Sequence, residues 1–172
     1  METITNKAFI RKSPQQIYEA IANIELYPEI FASCLEARRI ERHGEREVFE
    51  MRVRNRLGEN VVRSLRIYDP ATDRIEFQML SAPAQFEVMK GSWACTGSSQ
   101  CSEIVLVHEF EVSSAIRGYD RFVAIEEVSE GIYVNSLQVL SDLRSFMERC
   151  VTVPKQEEPI SSGAVYSAFE YV

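Results

Sequence analysis

The stretch from about Tyr119 to Cys150 restricts the fold more than any other part of the chain. Ile125, Val128, Ile132, Val139, Leu143, Phe146 and Cys150 recur in steps of three, four and seven, which places them on one face of a helix. At 1.5 Å per residue that helix is about 45 Å long, enough to cross a whole small domain. Asp120 is a candidate cap for its start, and Pro154 stops anything beyond Val153. Upstream, after one short helix, the chain reads as β-strand. A single long helix and many strands are reconciled most simply by a curved antiparallel sheet wrapped around the helix, an α+β arrangement. Gly131 and Asn135 interrupt the apolar stripe near its middle. A missing side chain and a buried amide predict that the helix covers a cavity rather than a solid core.

The chain has 172 residues, the size of one domain with a real core. A net charge of -7 argues against general nucleic-acid affinity, which needs a basic footprint. No apolar run approaches the roughly 18 residues needed to span a bilayer. The Met1-Glu2-Thr3-Ile4-Thr5 start lacks a basic and then apolar leader, so a cytoplasmic location is expected. Cys34, Cys95, Cys101 and Cys150 form no Cys-x-x-Cys pair and read as reduced thiols. Two histidines without ligand spacing predict no metal site.

Thr3 to Arg11 alternates as a first strand. Ser13-Pro14 marks a helix start, with Ile17, Ala20, Ile21 and Ile24 as the buried face. Pro28 then forces a break or a fresh short helical turn. From Leu35 the pattern is strands punctuated by turns at His43-Gly44, Leu57-Gly58-Glu59, Asp69 to Asp73, Ser81-Ala82-Pro83 and Thr96 to Ser99. Turns at that regular interval describe an antiparallel meander, giving about seven strands in all. The domain is expected over 1–151. Residues 152–172 change composition and read as a tail, disordered in part or docking.

Strand parity nominates the inward residues. Ile104, Leu106, His108, Phe110 and Val112 share the apolar face of the last strand, so His108 points inward as a neutral ring able to exchange a proton. A core histidine satisfied by a backbone carbonyl gives the same pattern. On the strand Asn60 to Tyr68, neither the Val62-Ser64-Arg66-Tyr68 face nor its opposite is decisively apolar. Arg66 is therefore either a surface group or a buried guanidinium that needs an acceptor. Met89, Gly91, Trp93 and Cys95 share a face, with Trp93 as core or as the flat wall of a pocket. Arg38, Arg39, Arg42, Arg46, Arg52, Arg54 and Arg56 crowd the first hairpins, as solvated strand faces or as a landing patch for an acidic partner.

In their order and spacing these pieces resemble a family. Ile24 to Phe31 after the first helix, Ser64-Leu65-Arg66-Ile67-Tyr68-Asp69-Pro70, Ala82-Pro83, Gly91-Ser92-Trp93, Leu106 to Phe110 and Asn135-Ser136 look like the START-like, helix-grip aromatase/cyclases of bacterial type II polyketide synthases. The resemblance covers residues from about 3 to 150. It implies a helix-grip fold and a cavity that folds a poly-β-ketone for intramolecular aldol closure and dehydration. It implies Arg66 as the anchor of polyketide oxygens, His108 as the proton mover and Asp142 as the nearest helix carboxylate to serve it. Ser64, Tyr68, Trp93, Phe110, Asn135, Cys34 and Tyr27 are implied as pocket residues, with Cys34 where some relatives carry a tyrosine. No cofactor is implied. The implied partners are an acyl carrier protein bearing the thioester and the aromatic polyketide itself. No membrane or nucleic acid is implied, and an exposed sheet edge leaves monomer and homodimer both open. Tyr27-Pro28, Phe31 and Cys34 also resemble START-like coenzyme Q-binding proteins, which implies the alternative of a lipid or quinone carrier.

Overall fold

The computed structural model describes residues 1–55, 58–81, 85–113 and 121–149. The elements run β1 (Glu2–Ile10), α1 (Pro14–Ala22), a 3-10 turn (Ile24–Leu26), α2 (Tyr27–Ile30), β2 (Cys34–His43), β3 (Arg46–Asn55), β4 (Gly58–Asp69), β5 (Arg74–Ser81), β6 (Phe86–Gly97), β7 (Ser102–Val112) and α3 (Arg121–Arg149). The seven strands form one antiparallel sheet in the order β1-β7-β6-β5-β4-β3-β2. Consecutive strands from β2 to β7 are hairpin neighbours, so the expected meander is present, and β1 closes it by pairing with β7.

Local chemistry accounts for the breaks. Ser13 caps α1 by accepting from the Gln16 amide at 3.3 Å, and Gln16 reaches back to the Ser13 amide at 3.1 Å, with Pro14 at the first helical position. Pro28 opens a separate four-residue turn, α2. Gly44 takes φ +59° between β2 and β3, a conformation that side chains with a Cβ resist. Asp69 holds the β4–β5 turn by accepting from the Ala71 amide at 3.1 Å and the Thr72 hydroxyl at 2.6 Å. The expected turns at 57 and 82–83, the caps at 120 and 154, Cys150 and the tail from 152 lie outside the described residues.

Both α1 and α3 lie on the concave face. α1 covers the end of β5 and β6, while α3 runs chiefly along β1 and then β7, and touches α2. The larger core gathers Ile17, Ile21, Ile24, Tyr27, Phe31, Phe49, Ile75, Trp93, Ile104, Leu106 and Leu143. A smaller one joins Met89, Phe110, Val112, Ala124 and Ile132. Between them Met51, Phe77, Met79, Gly91, His108 and Val139 are only half-buried, because α3 is set towards the β1 side of the sheet. The buried line on α3 is Ala124, Ile132, Ser136, Leu140, Leu143 and Met147, so the polar residue turned inward is Ser136. Asn135 and Gly131 are exposed, which corrects the expected placement of that amide in the pocket: Asn135 is about 100° around the helix from Ser136.

Candidate functional site

The register aligns one row of concave-face residues across six strands. Ile4 on β1 pairs with His108 on β7, His108 with Gly91 on β6, Gly91 with Phe77 on β5, Phe77 with Arg66 on β4, and Arg66 with Glu47 on β3. Arg66 and His108 thus share a face, three strands apart, or about 14 Å at the usual strand spacing. Burial decides the face of β4 that alternation left open: Val62, Ser64, Arg66 and Tyr68 are inside, and Val61 and Ile67 are outside.

Arg66 sits at the closed end of the row. Its Nη1 donates to the Ile21 carbonyl at 2.9 Å, and its Cζ lies 4.8 Å from the Tyr27 ring centre and 4.6 Å from that of Phe49. Tyr27 donates its hydroxyl to the same carbonyl at 2.9 Å. Both donors satisfy the C-terminal end of α1, where carbonyls lack helical partners and a cation is favoured. The guanidinium is 3% exposed, burial lowers its pKa, and its Nε–H has no acceptor. Next to it Tyr68 donates to the carboxylate of Glu47, which also accepts from Arg39. Burial raises the Tyr68 pKa, so the phenol stays a donor. Sequence reasoning missed Glu47, which is fully buried. Its parity with Phe49 and Met51 on β3 was the available signal.

His108 sits at the more open end. Its Nδ1 lies 3.2 Å from Ser136 Oγ, and its ring meets Phe77 edge-on at 5.5 Å between centres. That contact depends on Gly91. A Cβ there would overlap the Val107 carbonyl oxygen and stand 2.5 Å from Phe77 Cζ, so the missing side chain is what lets Phe77 reach His108. Burial among uncharged groups lowers the imidazole pKa to about 4.

The remaining candidates are placed as follows. Ser64, Cys34, Trp93 and Phe110 are buried, Cys34 and Trp93 within the larger core and Phe110 within the smaller. Asp142 does not serve His108. Its oxygens accept from the Ala32 amide at 3.0 Å and the Gln138 side chain at 2.8 Å, which ties α3 to the chain after α2. A carboxylate close to two helical turns from Ser136 is outside the reach of that ring. A 360 Å³ concavity is lined by the outward-facing Leu65, Ile67, Arg74, Lys90 and Glu109, and it also borders Phe77 and Gly91 of the row. Among the described residues no acidic, histidine or cysteine group has the makings of a metal site, and no helix is long and apolar enough to cross a membrane.

Residues 10–130 match the profile of the family described as polyketide cyclase / dehydrase and lipid transport. The chain belongs to that family. It is 28% identical over 137 residues to the actinorhodin polyketide synthase bifunctional cyclase/dehydratase of Streptomyces coelicolor, covering 78% of this chain and 40% of that protein. It is 26% identical over 138 residues to the granaticin counterpart of Streptomyces violaceoruber, with the same coverage. The chain thus spans about two fifths of the length of these curated relatives. Among solved structures, the Zhui aromatase/cyclase from Streptomyces sp. R1128 superposes with a TM-score of 0.79 at 20% identity, covering 86% of this chain and 94% of that one. The di-domain ARO/CYC BexL gives 0.76 at 19% identity, covering 86% of this chain and 47% of that one. A START superfamily protein from Mycobacterium smegmatis gives 0.73 at 12% identity, covering 87% and 99%. The family member's fold is therefore the START-like helix grip.

Proposed function

We propose that this family member is a polyketide aromatase/cyclase that folds a carrier-bound poly-β-ketone along the concave face of its sheet. The observation that carries the reading is the row itself: a guanidinium and an imidazole on one face, spaced along half-buried apolar residues. An extended chain lying along it has a carbonyl oxygen near Arg66 and an acidic methylene near His108. Holding the two reacting carbons in contact supplies several kcal/mol of the barrier. The unpartnered Nε–H of Arg66 offers a donor for an enolate or alkoxide oxygen, with Ser64 and Tyr68 alongside.

The steps balance without an oxidant. His108 takes a proton from a carbon between two carbonyls. The resulting enolate carbon attacks a ketone carbon, forming the new C–C bond and an alkoxide that is then protonated. Loss of a second proton and of the hydroxyl, together as water, gives the unsaturated ring that enolises to an aromatic one. A substrate of this class arrives as a thioester on an acyl carrier protein. The arginine-rich hairpins suit an acidic carrier less well than their composition implied. Arg38 and Arg63 both hold Glu50, Arg52 and Arg54 hold Glu59, and Arg39 holds Glu47. Arg42 and Arg46, beside the Gly44 turn, carry no ion pair among the described residues and are the better candidates for carrier contact.

The test is reconstitution with a ketosynthase pair and a loaded carrier, with products read by mass spectrometry. The wild type is expected to replace spontaneous shunt products by one regiospecific ring, and His108→Gln to slow its appearance. A product profile identical to that without the protein would sink the reading. The half-buried apolar lining around Met51, Met79 and Val139 also favours a second reading, a lipid or quinone carrier. A quinone or lipid found by native mass spectrometry after extraction from cells, with no effect on cyclisation, would establish it.

A further inference from the structure

The hydrogen bonds of Ser136 determine where the proton of His108 sits. Ser136 is fully buried on α3, and its single hydroxyl proton goes to the Ile132 carbonyl one turn earlier, at 2.7 Å. The same oxygen lies 3.2 Å from His108 Nδ1. With its proton committed, Oγ has only lone pairs to offer, so Nδ1 has to be the donor. Around the ring stand Ile4 on β1, Gly91 on β6, Phe77 on β5 and Ser136 on α3, none of them titratable. Burial there lowers the pKa to about 4, so the ring is neutral at pH 7 and carries one N–H. Nε2 is then the lone-pair nitrogen, and no described residue bonds to it.

We propose that Ser136 is a positioning residue that fixes His108 in the Nδ1–H tautomer and so leaves the Nε2 lone pair as the proton acceptor for the substrate. The proposal rests on the cyclase reading for its catalytic consequence, not for the tautomer. Without Ser136 the ring relaxes towards the Nε2–H form that free imidazole side chains favour, and the nitrogen facing the substrate becomes a donor. With Ser136 in place, Nε2 accepts the carbon-bound proton and the imidazolium keeps its Nδ1–H on Oγ. Nε2 then gives that proton to the alkoxide formed by ring closure, takes the second carbon-bound proton and passes it to the departing hydroxyl, which leaves as water.

The experiment is nitrogen-15 NMR of the full chain labelled at histidine, with His43 separated from His108 by a His108→Gln control. At pH 7 the wild type is expected to show a pyrrole-type Nδ1 and a pyridine-type Nε2 at His108. Ser136→Ala should move the signal to the Nε2–H form and lower turnover about tenfold or more with KM nearly unchanged, within the range general base catalysis supplies. Ser136→Thr, which keeps the hydroxyl and its bond to the preceding turn, should restore both. An Nε2–H signal in the wild type, or an Nδ1–H signal that persists in Ser136→Ala, overturns the proposal. If Ser136→Ala does not fold, the wild-type and Ser136→Thr spectra decide it by the same criterion. An Nδ1–H wild type that cyclises nothing supports the tautomer assignment and rejects the cyclase reading alone.

Discussion

His108 is held neutral by its surroundings, and that has a consequence for stability as well as for chemistry. Its folded pKa of about 4 lies below the ordinary value of 6.5, so the unfolded chain binds this proton more tightly. The stability associated with the neutral ring is complete above pH 6.5, declines as pH falls towards 4 and is lost below it, by about 3 kcal/mol at most. Urea titrations across that window should therefore give a shallower pH dependence for His108→Leu than for the wild type. Arg66 carries the opposite lesson. A guanidinium that satisfies a helix end between two aromatic rings is a structural group, whatever else it does. Arg66→Ala should lower stability by about 3 kcal/mol in denaturant, through the vacated space, the lost carbonyl partner and the lost ring contacts. Arg66→Lys keeps the charge and volume better and is the cleaner variant for product analysis, although it cannot lie flat between Tyr27 and Phe49.

Two glycines in different elements respond in opposite ways to the same added methyl group. Gly91→Ala on β6 drives into the Val107 carbonyl and the Phe77 ring, so a loss of about 2–3 kcal/mol is expected, with the Phe77–His108 contact broken. Gly131→Ala on the exposed side of α3 meets nothing within 4 Å and should stabilise by about 0.5–1 kcal/mol, seen as a higher denaturation midpoint at unchanged slope. The same contrast explains what was legible in the sequence. β7 alternates cleanly, so the inward course of His108 followed from parity. β4 places Ser64 and Arg66 inside and Val61 and Ile67 outside, and no hydrophobic alternation can announce a buried polar row. Glu47 could have been found by its parity with Phe49, but a carboxylate is a poor guess for a closed position until its tyrosine and arginine partners are known. On α3 the apolar stripe fixed the face to within one residue. Asn135 and Ser136 are both polar, and only the line from Ile132 to Leu140, four residues either side of Ser136, distinguishes them.

At the scale of the whole molecule the charge is -7, so the protein as a body repels an acidic carrier, and any attraction has to be local. Carrier affinity in a salt titration should fall more for Arg42→Glu with Arg46→Glu than for Arg38→Glu, whose guanidinium is already engaged by the Glu50 carboxylate that it shares with Arg63. The off-centre seat of α3 leaves part of the concave face for a ligand, so an aromatic polyketide at a hundredfold excess over its Kd should add about 2.7 kcal/mol and raise Tm. The order of strands bears on how the chain reaches this state. β1 and β2 are neighbours in sequence but stand at opposite margins of the sheet, and the partner of β1 begins only at Ser102. A nascent chain must therefore hold β1 unpaired until the segment from Ser102 has been made. Closure is long-range and correspondingly slow, and a chain cut before β7 has an open β-edge ready to recruit its neighbours.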